Sequence, residues 1–110
     1  MNNLTIIGRL GAEPVVRTTK ETIVARISLG VNHKKDNVEE TEWLEVILWN
    51  YLASVAQQYY HTGDKVYVKG HLSSSSYEDK EDVTHNVTQI VADDIEKLST
   101  AKRNIQEQSK

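Results

Sequence analysis

Two tryptophans stand near the ends of residues 41–49, a segment that we interpret as a strand whose side chains repeat with a period of two residues. Alternate side chains of a strand point to opposite faces of a sheet. The face that reads as core consists of three branched apolar residues, Leu44, Val46 and Leu48. The opposite face carries both rings, Trp43 and Trp49, with Glu45 and Ile47 between them. The segment therefore predicts two large flat rings on a single sheet face.

The chemistry expected of such a face is stacking. The rings should lie about 20 Å apart, since a strand rises roughly 3.3 Å per residue. Flat aromatic side chains on an exposed sheet are platforms on which unpaired bases stack. Glu45 favours exposure of this face, because burial of an unpaired carboxylate beside the rings would cost several kcal/mol. A subunit interface, where Trp is enriched, and a place in the core are the alternative interpretations.

Five predicted strands and one helix must position this segment. The strands are Asn3–Leu10, Ile23–Val31, Thr41–Trp49, Val66–Leu72 and Val83–Ala92. Residues 50–61 change to helical spacing, with Asn50 as the expected N-cap and Gly63 as the expected C-cap. The helix tyrosines Tyr51, Tyr59 and Tyr60 are expected to pack, and residues 33–41 and 73–82 are expected to be loops.

This order of elements predicts the fold class. A helix between strands 3 and 4 of an all-β chain with five strands is the layout of an OB-fold barrel. Such barrels use one face and its loops to bind oligonucleotides or oligosaccharides. A small SH3-like barrel or a sandwich would share much of the same pattern.

Composition excludes several classes of function. The 110 residues, of which 38% are hydrophobic and 26% charged, suit one soluble globular domain. The chain has no cysteine, which excludes disulfides and thiolate metal sites. No histidine has a second one two to four residues away, so no metal and no cofactor are predicted. No nucleophile elbow, P-loop or dinucleotide fingerprint is present, and the chain is predicted not to be an enzyme.

Charge and hydropathy give two further expectations. The formal net charge is −3, which argues weakly against a nucleic-acid binder, although the position of the charges matters more than their sum. The sequence has no run of 18 apolar residues and no pattern of a signal peptide. A cytoplasmic location is therefore expected.

A family resemblance rests on short motifs that occur in order along residues 1–98. They include Ile7-Gly8-Arg9-Leu10, Glu13-Pro14, Val24-Ala25-Arg26-Ile27-Ser28-Leu29, Thr41-Glu42-Trp43, Thr62-Gly63-Asp64-Lys65-Val66, Tyr77-Glu78-Asp79 and Ile90-Val91-Ala92-Asp93. Each motif alone is weak, but their joint order and spacing are specific. In these motifs the chain resembles the bacterial single-stranded DNA-binding proteins.

The resemblance implies an OB-fold subunit of a homotetramer that coats single-stranded DNA during replication, recombination and repair, in the cytoplasm and associated with the nucleoid. Carried over by position, the base-stacking residues are Trp43, Trp49 and Tyr77. The basic residues expected to contact phosphate are Arg9, Arg17, Arg26, Lys34, Lys35 and Lys69. Arg9 and Arg26 rank first, because they stand at strand positions that match the family.

The chain departs from the family pattern at four places. Lys34 or Lys35 stands where an aromatic residue is common, Glu45 replaces a basic residue, and Ser73–Ser76 replaces a basic stretch. Fewer phosphate contacts predict weakened binding. The family's acidic tail tip, which recruits replication proteins, has no counterpart in residues 99–110, a polar segment expected to be a flexible tail after the domain at residues 1–98.

Two other functions stay open from the sequence. The chain could be an OB-fold paralogue that mediates protein interactions through its tryptophans and has weakened DNA binding. It could also be an oligosaccharide-binding module, because sugars stack on tryptophan as well. The family resemblance favours DNA over both.

Overall fold

The structure is a computed structural model that describes residues 2–100, with the side chains of Ser75 and Tyr77 excepted. It contains six strands and one helix: β1 (Leu4–Leu10), β2 (Val15–Thr18), β3 (Ile23–Lys35), β4 (Val38–Trp49), α1 (Tyr51–Tyr59), β5 (Lys65–Glu78) and β6 (Thr84–Ser99). Among the described residues no helix is long and apolar enough to cross a membrane. The predicted tail beyond residue 100 lies outside the described residues.

Five of the strands close a barrel. They follow the order β1-β5-β6-β4-β3, and β1 closes the ring on β3 through the pairs Arg9↔Gly30 and Leu10↔Leu29. Within residues 2–100, β2 pairs only with β3, as a short strand at the edge of the sheet. The helix lies between β4 and β5, which correspond to the third and fourth strands predicted from the sequence. The predicted five-stranded OB-fold is therefore confirmed.

The core lies inside this ring and follows from strand alternation. The fully buried side chains include Ala25, Ile27, Leu29, Val46, Leu48, Val66 and Val68, and α1 adds the small residues Ala53 and Ala56. The predicted core face of β4 is confirmed, with Leu44 partly buried at its margin. Ile47 departs from the prediction of an open outer face, because it is only 6% exposed. It pairs with Val91 of β6 and forms part of a cleft wall.

Two hairpins are longer than the sequence predicted. β3 and β4 run on to a two-residue turn at Asp36 and Asn37, which both have positive φ, as a type I′ hairpin turn requires. β5 continues through the serine run to Glu78 before β6 begins at Thr84. The predicted loops at 33–41 and 73–82 are therefore largely strand. Their polar sequences have no apolar residues at a period of two from which a strand could be predicted.

The ends of the helix also differ from the prediction. Asn50 precedes α1, but its side chain makes no capping bond. Its backbone N–H instead donates to the carbonyl of Ile23 at 2.7 Å. The C-cap is Tyr60 rather than Gly63. Tyr60 is buried as predicted, whereas Tyr51 and Tyr59 point largely into solvent.

A buried carboxylate joins the end of the helix to the last strand. Asp64 is completely inaccessible to solvent, and its Oδ2 atom accepts the backbone N–H of His61 at 2.9 Å. Lys97 of β6 brings its Nζ atom to 3.1 Å from the same oxygen and donates to the carbonyl of Tyr59 at 2.6 Å. The same ammonium lies 5.7 Å from the centre of the Tyr60 ring. Burial raises the pKa of the Tyr60 phenol.

Candidate nucleic-acid interface

The outer surface of β2, β3 and β4 brings one tryptophan together with two arginines. In the sheet register Trp49 stands opposite Val24, and Val24 stands opposite Arg17 of β2. Arg26 lies one row away, between Val15 and Ile47. These side chains surround a cleft of about 310 Å³ into which Gln89 of β6 also projects. Trp49 is 48% exposed at its rim, so an arginine-flanked ring is open to a ligand.

Trp43 is the more exposed of the two rings, at 60%. It stands opposite Gly30, and its six-membered ring lies against the backbone of both Gly30 and Gly11. A Cβ atom added at Gly11 would come within 2.5 Å of the ring. One side of Trp43 borders a cleft shared with Arg9, and the other side borders a cleft shared with Glu45, Leu72 and Gln89.

Gln89 connects the two aromatic sites. It lines the cleft of Trp49 and also the cleft between Trp43 and Leu72. Neither Gln89 nor Leu72 is among the site residues predicted from the sequence. The reason is topological, since the parallel pairing of β6 with β4 through Val46↔Ile90 places Gln89 here. No local pattern reports which distant strand will lie beside the tryptophans.

Arg26 and Glu45 form a loose ion pair on this surface. Arg26 Nη1 lies 3.8 Å from Glu45 Oε1, and both side chains are about half exposed, at 49% and 55%. Exposed pairs of this kind contribute only about 0–1 kcal/mol. A phosphate or a base can therefore replace either partner at little cost. Arg9 is held more firmly, because its Nη1 donates to the carbonyl of Gly63 at 3.0 Å.

The three lysines predicted to contact phosphate lie elsewhere. Lys34 and Lys35 are on β3, at the end of the β3–β4 hairpin rather than in a loop, and Lys34 faces Glu39 across the pair. Lys69 is on β5 between Thr5 and Asp94, and it lines none of the clefts of the two tryptophans. The structure thus groups the three arginines, and not the lysines, with the exposed rings.

A model of the single-strand binding protein family matches residues 1–98. The chain belongs to this family. A single-stranded DNA-binding protein of Bacteroides thetaiotaomicron is 30% identical over 94% of this chain and 70% of its own length. Single-stranded DNA-binding protein 1 of Streptococcus pyogenes is 33% identical over 96% and 84%. A single-stranded DNA-binding protein of Neisseria meningitidis is 31% identical over 94% of this chain and 63% of its own length, so this chain spans less than two thirds of that relative.

Membership of the single-strand binding protein family confirms the resemblance seen in the sequence. It also confirms the prediction that the chain is not an enzyme, because the family consists of binding proteins. Among residues 2–100 no three His, Asp or Glu side chains converge as a metal site would require. The predicted stacking role of Tyr77 stays a prediction. Its backbone pairs with His85 in the β5–β6 hairpin, while its side chain lies outside the described part of the chain.

Asp79 shapes the end of the hairpin that carries Tyr77. Its Oδ1 atom accepts the backbone N–H groups of Glu81 and Val83, at 2.8 and 3.0 Å. Its Oδ2 atom lies 2.8 Å from the Nε2 atom of His85. The contact with His85 is the largest cause that lowers the pKa of Asp79, and the hydrogen bonds from the two backbone N–H groups lower it further. The Asp79 side chain therefore stabilises the turn between β5 and β6.

Glu13 fixes the turn that brings Gly11 against the Trp43 ring. Its Oε2 atom accepts the backbone N–H and the hydroxyl of Thr62, at 2.8 and 2.9 Å, and its Oε1 atom lies 3.0 Å from His61 Nδ1. The backbone N–H of Thr62, then the His61 ring and the Thr62 hydroxyl, lower the pKa of Glu13 from 4.5 to about 2.

This lowered pKa predicts a dependence of stability on pH. A carboxylate with a depressed folded-state pKa stabilises the fold above its unfolded pKa and ceases to do so as the pH falls through the folded value. The contribution of Glu13 should therefore be complete above about pH 4.5 and lost by about pH 2. Urea unfolding of the wild type and Glu13→Gln, followed from about pH 5 downward, should give free energies that converge. A difference that stays constant down to about pH 2 would contradict the assignment.

Proposed function

We propose that this chain binds single-stranded DNA without requiring a sequence motif, by stacking bases on Trp43 and Trp49 and by holding phosphates with Arg9, Arg17 and Arg26. The single observation that carries the proposal is the arrangement of two exposed rings on one sheet face, each beside arginine. Stacking accepts any base, and arginine beside the rings attracts the backbone. The names of the family relatives support the same ligand.

The proposal extends to the biological setting implied by the family. The chain coats and protects single-stranded DNA during replication, recombination and repair, as one subunit of a homotetramer in the bacterial cytoplasm, associated with the nucleoid. Tyr77 adds a third stacking platform, and Lys34, Lys35 and Lys69 add weaker phosphate contacts at the margins. Recruitment of replication proteins through an acidic tail tip is not part of this proposal.

The direct test is a fluorescence titration at low salt. Both tryptophans are partly exposed, so stacked bases should quench their emission as oligo-dT is added. A duplex of the same length is the control, because its bases are already paired and should quench far less. Emission that does not change with oligo-dT, from a protein shown to be folded, would overturn the proposal.

One observation favours a second function, that of a protein-interaction module. Glu45 lies between the rings and repels phosphate, and the net charge of the chain is −3. If the rings served an interface between subunits or with another protein, Trp49→Ala would change the oligomer mass and leave DNA affinity unaltered. A loss of DNA affinity at unchanged mass supports DNA binding instead.

A further inference from the structure

Glu45 occupies a position that a nucleic-acid base would reach. It stands two residues after Trp43 on the same outer face of β4, opposite Ser28. Its side chain is 55% exposed and lines the cleft that Trp43 shares with Leu72 and Gln89. A base stacked on Trp43 would therefore turn an edge toward this carboxylate.

The loose ion pair of Glu45 with Arg26 puts one negative and one positive side chain next to each other on this surface. Arg26 lies toward Trp49, in the cleft with Arg17, whereas Glu45 lies toward Trp43. A nucleotide offers a partner to each of them, since its phosphate is an anion and some base edges carry N–H donors. Exchange of the 3.8 Å ion pair for a phosphate on Arg26 and a donor on Glu45 satisfies both side chains.

The bases differ in what they offer to a carboxylate. An ionised glutamate only accepts hydrogen bonds. Cytosine and adenine carry exocyclic amino donors, as does guanine, whereas thymine carries a carbonyl acceptor at the corresponding position. The one ring donor of unpaired thymine, N3–H, lies between two carbonyl oxygens, which repel an approaching carboxylate. In single strands these edges are free to be read. Gln89 does not discriminate in this way, because its amide both donates and accepts.

We propose that Glu45 makes this groove select amino-bearing bases over thymine, so that the chain prefers cytosine-rich single strands to thymine-rich ones. The inference rests on the proposed function and adds a preference in base composition to it. The residue that weakens phosphate binding thereby acts as a specificity determinant.

The test compares oligo-dC with oligo-dT of equal length, at mildly alkaline pH where cytosine is unprotonated. Both are pyrimidines, so the hydrogen-bonding edge is the main difference between them. The wild type should bind oligo-dC roughly fivefold more tightly, the lower end of discrimination by hydrogen-bonded base contacts. In Glu45→Gln the ratio should fall toward one, because an amide accepts from cytosine and donates to thymine equally well.

Glu42→Gln is the matched control. It removes the same charge from the same strand, but Glu42 lies on the opposite face and its Oε1 atom is 3.0 Å from His33 Nε2. This variant should keep the wild-type ratio. Equal or tighter binding of oligo-dT by the wild type, or a ratio unchanged in Glu45→Gln, would overturn the base preference and leave DNA binding intact. Failure of the wild type to bind either oligonucleotide would overturn the proposed function, and the preference with it.

Discussion

Trp49→Ala is expected to weaken the binding of oligo-dT by roughly 5- to 150-fold, the range that corresponds to a loss of about 1–3 kcal/mol per stacked base. Trp49 stands in the cleft of Arg17 and Arg26, so the base that it holds is also the one whose phosphate lies nearest to positive charge. Trp43→Ala should cost a similar factor. Titration of each single variant by fluorescence of the remaining tryptophan measures both effects.

Tyr51→Ala provides the control for these variants. Tyr51 is 77% exposed, but it lies on α1 and lines none of the three clefts beside the tryptophans. Its removal should leave the affinity within about twofold. If Tyr51→Ala weakened binding as much as Trp49→Ala, the DNA path would have to cross the helix rather than the outer face of β4.

The second large effect concerns stability. Lys97→Met is expected to lower the free energy of unfolding by about 3 kcal/mol, because it takes a counter-ion from a carboxylate that is completely buried. The same change removes the bond to the Tyr59 carbonyl at the end of α1. Urea unfolding at neutral pH measures the loss.

A double variant separates the buried charge from simple loss of packing. Asp64→Asn keeps the shape of the side chain and removes its charge, so Asp64→Asn/Lys97→Met should recover part of the stability lost in Lys97→Met alone. Additive losses would show that the ion pair is not the source of the effect. Lys65→Met, at a partly exposed position of β5, provides a matched lysine control.

The strand of the tryptophans is the part of the molecule that could best be predicted from sequence. Alternate residues on one side of β4, Leu44, Val46 and Leu48, pack on the core, whereas the other side meets solvent except at Ile47. Glu45 indicated that the face with both tryptophan rings is exposed, since burial of that face would have buried the Glu45 carboxylate. The barrel could be predicted because the helix stands between the third and fourth predicted strands, which is the layout of an OB-fold.

Features that depend on distant partners could not be predicted in this way. Gln89 reaches the site only because β6 runs parallel beside β4, and no local pattern encodes that pairing. Ser73–Ser76 lie in β5 although their sequence has no apolar face, because their backbone pairs with residues 86–89 of β6. Lys69 has the same charge as Arg26, yet the closure of the ring places it on another wall.

Gly11 and Gly30 have no side chain where the Trp43 ring lies, so the ring packs close against the backbone of both residues. The ring is therefore confined on that side before any ligand arrives. Binding then requires little further ordering of the protein, and preorganisation of this kind raises affinity without adding a contact. The loss of conformational entropy falls mainly on the DNA strand, which is the partner that begins flexible.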